Sequence, residues 1–179
     1  MRLPVFPVRF TRQDSLFTHH DSRISLDMPD DITVRDATRA DVDTLAQFNR
    51  HLAEETEDKT LDSETVRNGV TAVFDEPDRG FYLVAERDER VVGSLMITTE
   101  WSDWRNGAFW WLQSVYVRPE DRREGVYSAL HRAVRRRAQE DDEVCGIRLY
   151  VEHRNDDAQN TYEALGMTEA PYRLYGEML

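Results

Sequence analysis

A charged run between two apolar stretches, Arg118-Pro119-Glu120-Asp121-Arg122-Arg123-Glu124-Gly125-Val126-Tyr127, has the composition of an anion site. It leads from a strand into a helix, so free backbone N–H groups and the positive end of the helix dipole converge there, and Gly125 lets a ligand approach the main chain with no Cβ in the way. Arg122 and Arg123 add charge that can pair with phosphate oxygens. An ordinary helix start with surface arginines has the same composition. Further along, Ala158 and Tyr162 are four residues apart and share a helix face. A phenol of pKa about 10 can serve as a proton donor without itself being ionised at neutral pH. A half-buried aromatic on an amphipathic helix is the plainer account of the same residue.

Other residue types point less sharply. Trp101, Trp104, Trp110 and Trp111 cluster near the start of one strand, and alternation sends Trp110 and Trp111 to opposite faces. One belongs in the core; the other, with Trp101 or Trp104, can wall a pocket for an apolar or cationic group. The acidic stretch Glu54-Glu55-Thr56-Glu57-Asp58 reads as a solvated loop that would also attract an amine. Cys145, the single cysteine, reads as a small buried hydrophobe. His19-His20 lacks further ligands at metal spacing, and no metal site is expected. Arg135-Arg136-Arg137 lies in the last turns of a helix, where cations offset the dipole.

The elements that must position these residues follow from periodicity. Residues 1–31 carry no sustained pattern and are expected to form an arm; residues 32–179 are expected to form one domain. A short strand, Ile32 to Arg35, precedes a helix capped by Thr38 and Asp41 with Val42, Leu45, Ala46 and Leu52 at helical spacing. Ser63 is expected to cap a second helix carrying Val66, Val70, Val73 and Phe74, ended by Pro77 and Gly80. Phe81–Glu86 and Val91–Ile97 read as a hairpin around Arg87-Asp88-Glu89-Arg90, and Phe109–Val117 as a third strand stopped by Pro119. A helix from Gly125 to about Glu140, a strand Gly146–Glu152, a helix Ala158–Leu165 and a closing strand near Tyr172 to Met178 complete the order.

With those elements in place, the chain resembles the Gcn5-related N-acetyltransferase (GNAT) superfamily over about Ile32 to Met178. The family's cofactor loop reads Arg or Gln, two residues, Gly, one residue, then Gly or Ala; Arg122 and Gly125 match, and Tyr127 departs, standing where a small residue is usual. Leu149, Val151, Asn155, Ala158, Tyr162, Gly166 and Met167 follow the order of its second signature. The resemblance implies an α/β single domain with a mixed, mostly antiparallel central sheet flanked by helices, and acetyl-CoA as co-substrate. It implies that the strand at Val115, Tyr116 and Val117 pairs with pantetheine amides, and that Arg122, Arg123, Glu124, Gly125, Val126 and Tyr127 hold the pyrophosphate. Asn155 and Ala158 would border the cofactor, Tyr162 would be the general acid, and a backbone N–H near Val115 would meet the developing oxyanion. Some members place a carboxylate base near Gln113, which Gln113 cannot replace; Glu100, Glu86 and Glu54 acting through water are the candidates.

The expected function is therefore transfer of an acetyl group from acetyl-CoA to a small amine or amino-group acceptor by direct attack. The alternative is a catalytically silent acyl-CoA-binding sensor, which would keep the Gly125 loop and lose the acid. A net charge of -12 disfavours a nucleic-acid partner, and no stretch approaches a membrane span. The short, proline-broken start does not read as a signal peptide, so a cytoplasmic protein is expected, with a homodimer allowed. Lys59 is the only lysine among 23 basic residues, a skew compatible with a salt-rich cytoplasm or with codon bias.

Overall fold

The computed structural model describes residues 31–177. Most of the expected arm, with His19-His20, therefore lies outside the described residues. Five strands form one sheet in the order β1-β2-β3-β4-β5: β1 Thr33–Asp36, β2 Phe81–Arg87, β3 Arg90–Ser102, β4 Gly107–Val117 and β5 Val144–Leu149. Neighbours are antiparallel except β4 and β5, which run parallel. Helices α1 Val42–Glu57, α2 Ser63–Asp75, α3 Val126–Glu140 and α4 Asp156–Ala164 flank it.

Alternation along the strands divides the core in two, as a sheet covered on both faces requires. Leu83, Ala85, Val92, Leu95, Ile97, Trp110 and Leu112 pack against Val126, Ala129, Leu130, Ala133 and Val134 of α3. Tyr82 and Val84 meet Val42, Leu45 and Ala46 of α1 and Val70 and Val73 of α2. Gly93 sets how closely α3 approaches, because a Cβ there would lie 2.8 Å from Val126 Cγ1 and 3.1 Å from the Tyr116 carbonyl.

Local chemistry sets the element ends. The Thr38–Asp41 capping box forms, but on a single 3-10 turn that leads into α1. Buried Asp41 also takes both terminal nitrogens of Arg35, at 2.8 and 2.9 Å. The acidic stretch expected as a loop from Glu54 is instead the last turn of α1, which ends at Asp58 in the left-handed region. Helix formers outweigh polarity there, because a charged turn facing solvent costs a helix nothing. The cap of α2 is Asp62, whose side chain accepts from the Thr65 N–H at 2.8 Å, rather than Ser63. The β2–β3 turn places Asp88 and Glu89 at φ 50° and 60°, as a tight two-residue hairpin requires.

The expected closing strand does not form: residues 168–177 are irregular, and β5 is the sheet edge among the described residues. Tyr172, Leu174 and Tyr175 are exposed, so no cross-strand packing rewards extended pairing, and Gly176 weakens it further. No described helix is long and apolar enough to cross a membrane.

Candidate active site

The parallel ladder between β4 and β5 runs from Ala108↔Val144 to Leu112↔Leu149 and stops there. Beyond it, β4 continues to Val117 with no β5 partner, so the two strands bound an open split. Within that stretch β4 carries a bulge. Ser94 pairs with Tyr116 and Met96 with Gln113, so Ser114 and Val115 together oppose Leu95, and Ser114 sits at φ 48°. Val115 and Val117 pack toward the α3 core. Tyr116 points to the other face, its ring 4.8 Å from that of Phe48 in α1.

At the end of β4 the loop turns into α3. Gly125 is the N-cap residue at φ 82°, and the first backbone bond returning to it comes from Ala129 at 2.9 Å. The amides of Val126, Tyr127 and Ser128 thus have no acceptor within the helix. The loop is fixed by groups that sequence reasoning missed. Asp121, 3% exposed, takes Arg87 at 3.0 Å and Arg90 at 2.9 Å from the β2–β3 hairpin. Glu124 also pairs with Arg87, and Glu120 with Arg90 at 3.1 Å. No sequence signal marks these pairs, whose members lie some thirty or more residues apart.

The two arginines of the loop are placed differently. Arg122 bonds Glu55 Oε2 at 2.5 Å and the Val117 carbonyl at 3.0 Å, lying over the Tyr116 ring. Arg123, at φ 65°, is 90% exposed and, among the described residues, pairs with Asp157 of α4 at 3.8 Å. Asn155 caps α4, its side-chain oxygen accepting from the Ala158 N–H at 3.1 Å.

One helical turn beyond Ala158, Tyr162 meets the first turn of α3. Its ring lies edge-on to Tyr127, centroids 5.4 Å apart and planes at 63°. Burial pushes the Tyr162 hydroxyl above the usual phenol range, so it stays protonated at neutral pH. Tyr127 is pushed up further by burial and then by Tyr162, and its hydroxyl is buried without a hydrogen-bond partner among the described residues. The residue that departs from the family pattern therefore fills the space beside the expected acid.

On the opposite face of the sheet, Glu100 accepts from Trp111 Nε1 at 2.5 Å and from Arg148 at 3.0 Å. Arg148 lies 3.5 Å from the Phe109 ring centre, and Trp111 stacks on Tyr150 at 4.4 Å. Tyr150 follows directly on the last paired residue of β5, so this aromatic pair stands where the strands part. Trp110 is buried against Phe81, as alternation required. The wall that Trp101 or Trp104 could have made beside Trp111 is not built. Trp101 is on the other face, Trp104 is in the β3–β4 turn, and both are exposed. Among the carboxylates considered as base, Glu86 is tied to Arg35 at 2.5 Å near the β1 edge, and Glu54 is exposed on α1. Glu100 stands opposite Phe109 within the paired part of β4, and its carboxylate reaches Trp111 and Arg148 near the end of the ladder. Cys145 is half-buried rather than buried, in a separate groove of about 670 Å³ formed with His131, Arg135, Ile147, Leu165 and Met167. Arg137 of the arginine run pairs with Asp36 of β1 at 2.6 and 3.0 Å, a structural contact.

The site is thus a mixed sheet that parts between two parallel strands, with a glycine-capped helix start at its end, in an α/β protein. Residues 44–167 match the model of the acetyltransferase (GNAT) family, and the chain belongs to that family. It is similar to a solved structure of a possible acetyltransferase from Clostridium difficile 630, with 43% identity and a TM-score of 0.77 over 83% of this chain and 97% of that one. More distant folds include a predicted acetyltransferase with acetyl-CoA from Clostridium acetobutylicum, 16% identical with a TM-score of 0.68 over 82% of this chain and 96% of that one. An aminoglycoside N-acetyltransferase in complex with CoA is 15% identical, with a TM-score of 0.66 over 82% of this chain and 94% of that one. No curated protein matches the chain.

Proposed function

We propose that the protein transfers an acetyl group from acetyl-CoA to a primary amine by direct attack. The observation that carries this reading is a helix start with three amides lacking helical acceptors, placed at the end of the split between β4 and β5. An extended molecule with amides along its length and a diphosphate at one end is complementary to that arrangement. The open edge of β4 at Val115, Tyr116 and Val117 would pair with its amides. The backbone of Arg123, Glu124, Gly125, Val126 and Tyr127, with the Arg122 and Arg123 side chains, would meet its phosphates. Asn155 and Ala158 would border it at the start of α4, close to Arg123.

Acetyl-CoA supplies an activated acyl thioester. As the acceptor nitrogen bonds to the carbonyl carbon and the carbon–sulfur bond breaks, Tyr162, protonated at neutral pH, delivers its proton to the sulfur and recovers one, through water, from the newly bonded nitrogen. The Val115 N–H, beside the Ser114 bulge, stabilises charge gathering on the carbonyl oxygen. The acceptor approaches over Trp111 and Tyr150, and Glu100 receives the ammonium proton through water. A thiol-release assay over a panel of arylalkylamines, polyamines, amino acids and aminoglycosides tests this. Release that depends on the amine supports the reading; tight binding of acetyl-CoA with no release from any amine class replaces it with a silent acyl-CoA sensor.

A further inference from the structure

The cofactor loop is tied down in two unlike ways. Its anchor at Asp121 is buried between two arginines. A second kind of tie, Arg122 to Glu55, joins side chains that are 44% and 38% exposed. Exposed pairs of that kind contribute little and exchange readily. Glu55 is also more than a surface partner. Its second oxygen accepts from the Tyr116 hydroxyl at 3.2 Å, and His51, one turn earlier on α1, places Nδ1 3.4 Å from the same hydroxyl. Burial, and then the charge of Glu55, hold the Tyr116 phenol above its usual range, so Tyr116 remains the donor. Glu55 is thereby held in place whether or not it keeps Arg122.

We propose that Glu55 is a positioning residue that competes with the cofactor's phosphates for the Arg122 guanidinium, so that loading the site moves Arg122 from Glu55 to phosphate. The inference rests on the acetyl-CoA reading above. Glu55 then sets cofactor affinity through Arg122, and by linkage the loaded site leaves a free carboxylate on the face of the sheet that holds Tyr116 and α1.

Calorimetric titration with acetyl-CoA of the wild type, Glu55→Gln, Glu55→Asp, Arg122→Gln and the Glu55→Gln/Arg122→Gln double variant tests it. Glu55→Gln is expected to tighten binding about two- to fivefold at low salt, with the gain shrinking as salt rises. Glu55→Asp keeps the competing charge and should stay nearer to wild type. In the Arg122→Gln background the Glu55 substitution should change nothing, which a merely structural Glu55 would not predict. Unchanged or weaker binding by Glu55→Gln, or the same gain without Arg122, overturns the competition while leaving the functional reading intact. Failure of the wild type to bind acetyl-CoA overturns both.

Discussion

The hydroxyl of Tyr162 is the atom on which the proposed chemistry turns, and its setting makes two residue-level predictions. Held protonated by burial, it is suited to give a proton and unsuited to take one at neutral pH. Tyr162→Phe should lower turnover about 100-fold with acetyl-CoA affinity unchanged, read by single-turnover kinetics beside calorimetry. An unaltered rate would assign the proton to another group. Beside it, the Tyr127 hydroxyl is buried with no hydrogen-bond partner among the described residues. Leaving such a group unsatisfied costs about 1 kcal/mol or more, so Tyr127→Phe should raise stability by about 1 kcal/mol in urea melts. A loss of stability would mean that the hydroxyl has a partner, such as an ordered water. Both tyrosines were visible in the sequence by motif position, but their contact was not. It depends on the distance between two helices, which no local pattern encodes.

At the scale of elements, the β2–β3 hairpin holds the loop that precedes α3. Asp121 is bonded by Arg87 and Arg90 and has almost no exposure, so removing its charge leaves two guanidinium groups competing for weaker acceptors. Asp121→Asn should cost about 2 kcal/mol of stability and weaken acetyl-CoA binding together. Stability lost with affinity intact would separate the hairpin from the site. Strands and helices were legible because β2, β3 and β4 are apolar-rich runs of strand length, α3 keeps a helical stripe, and Pro119 and Gly125 punctuate the change between β4 and α3. The hairpin's role was not, because Arg87 and Arg90 look like any charged turn until Asp121 is placed beside them. The closing strand near Tyr172 failed for a related reason. Its apolar and aromatic residues suit a strand, yet a strand forms only where a neighbouring edge and a buried face reward it.

For the molecule as a whole, an ionic contact joins elements remote in sequence, Asp36 of β1 to Arg137 of α3, and a second, local one ties Asp41 before α1 to Arg35 of β1. Bonding from Arg137 holds the Asp36 carboxyl below its usual range, and Arg35, followed by Thr38, does the same for Asp41. A carboxylate whose pKa is depressed by folding stabilises the fold above about pH 4 and loses that contribution as pH falls through the folded value. His131 adds to the trend. Burial, then Arg135 and Arg132, lower its pKa, so the unfolded chain takes a proton first once pH drops below about 6.5. Urea midpoints should therefore fall from pH 7 to pH 3, and Asp41→Asn should lower the midpoint at pH 7 while flattening the acid limb. A midpoint indifferent to pH would remove these pairs from the account of stability.

The central claim is that the Gly125 start of α3, at the end of the β4–β5 split, holds acetyl-CoA. A calorimetric titration of the wild type and of Gly125→Asp tests it most directly, since aspartate tolerates the left-handed conformation yet brings bulk and negative charge to the cradle. The account predicts about one acetyl-CoA per chain for the wild type and no measurable binding by a folded variant. Equal binding by both, or none by the folded wild type, would contradict it.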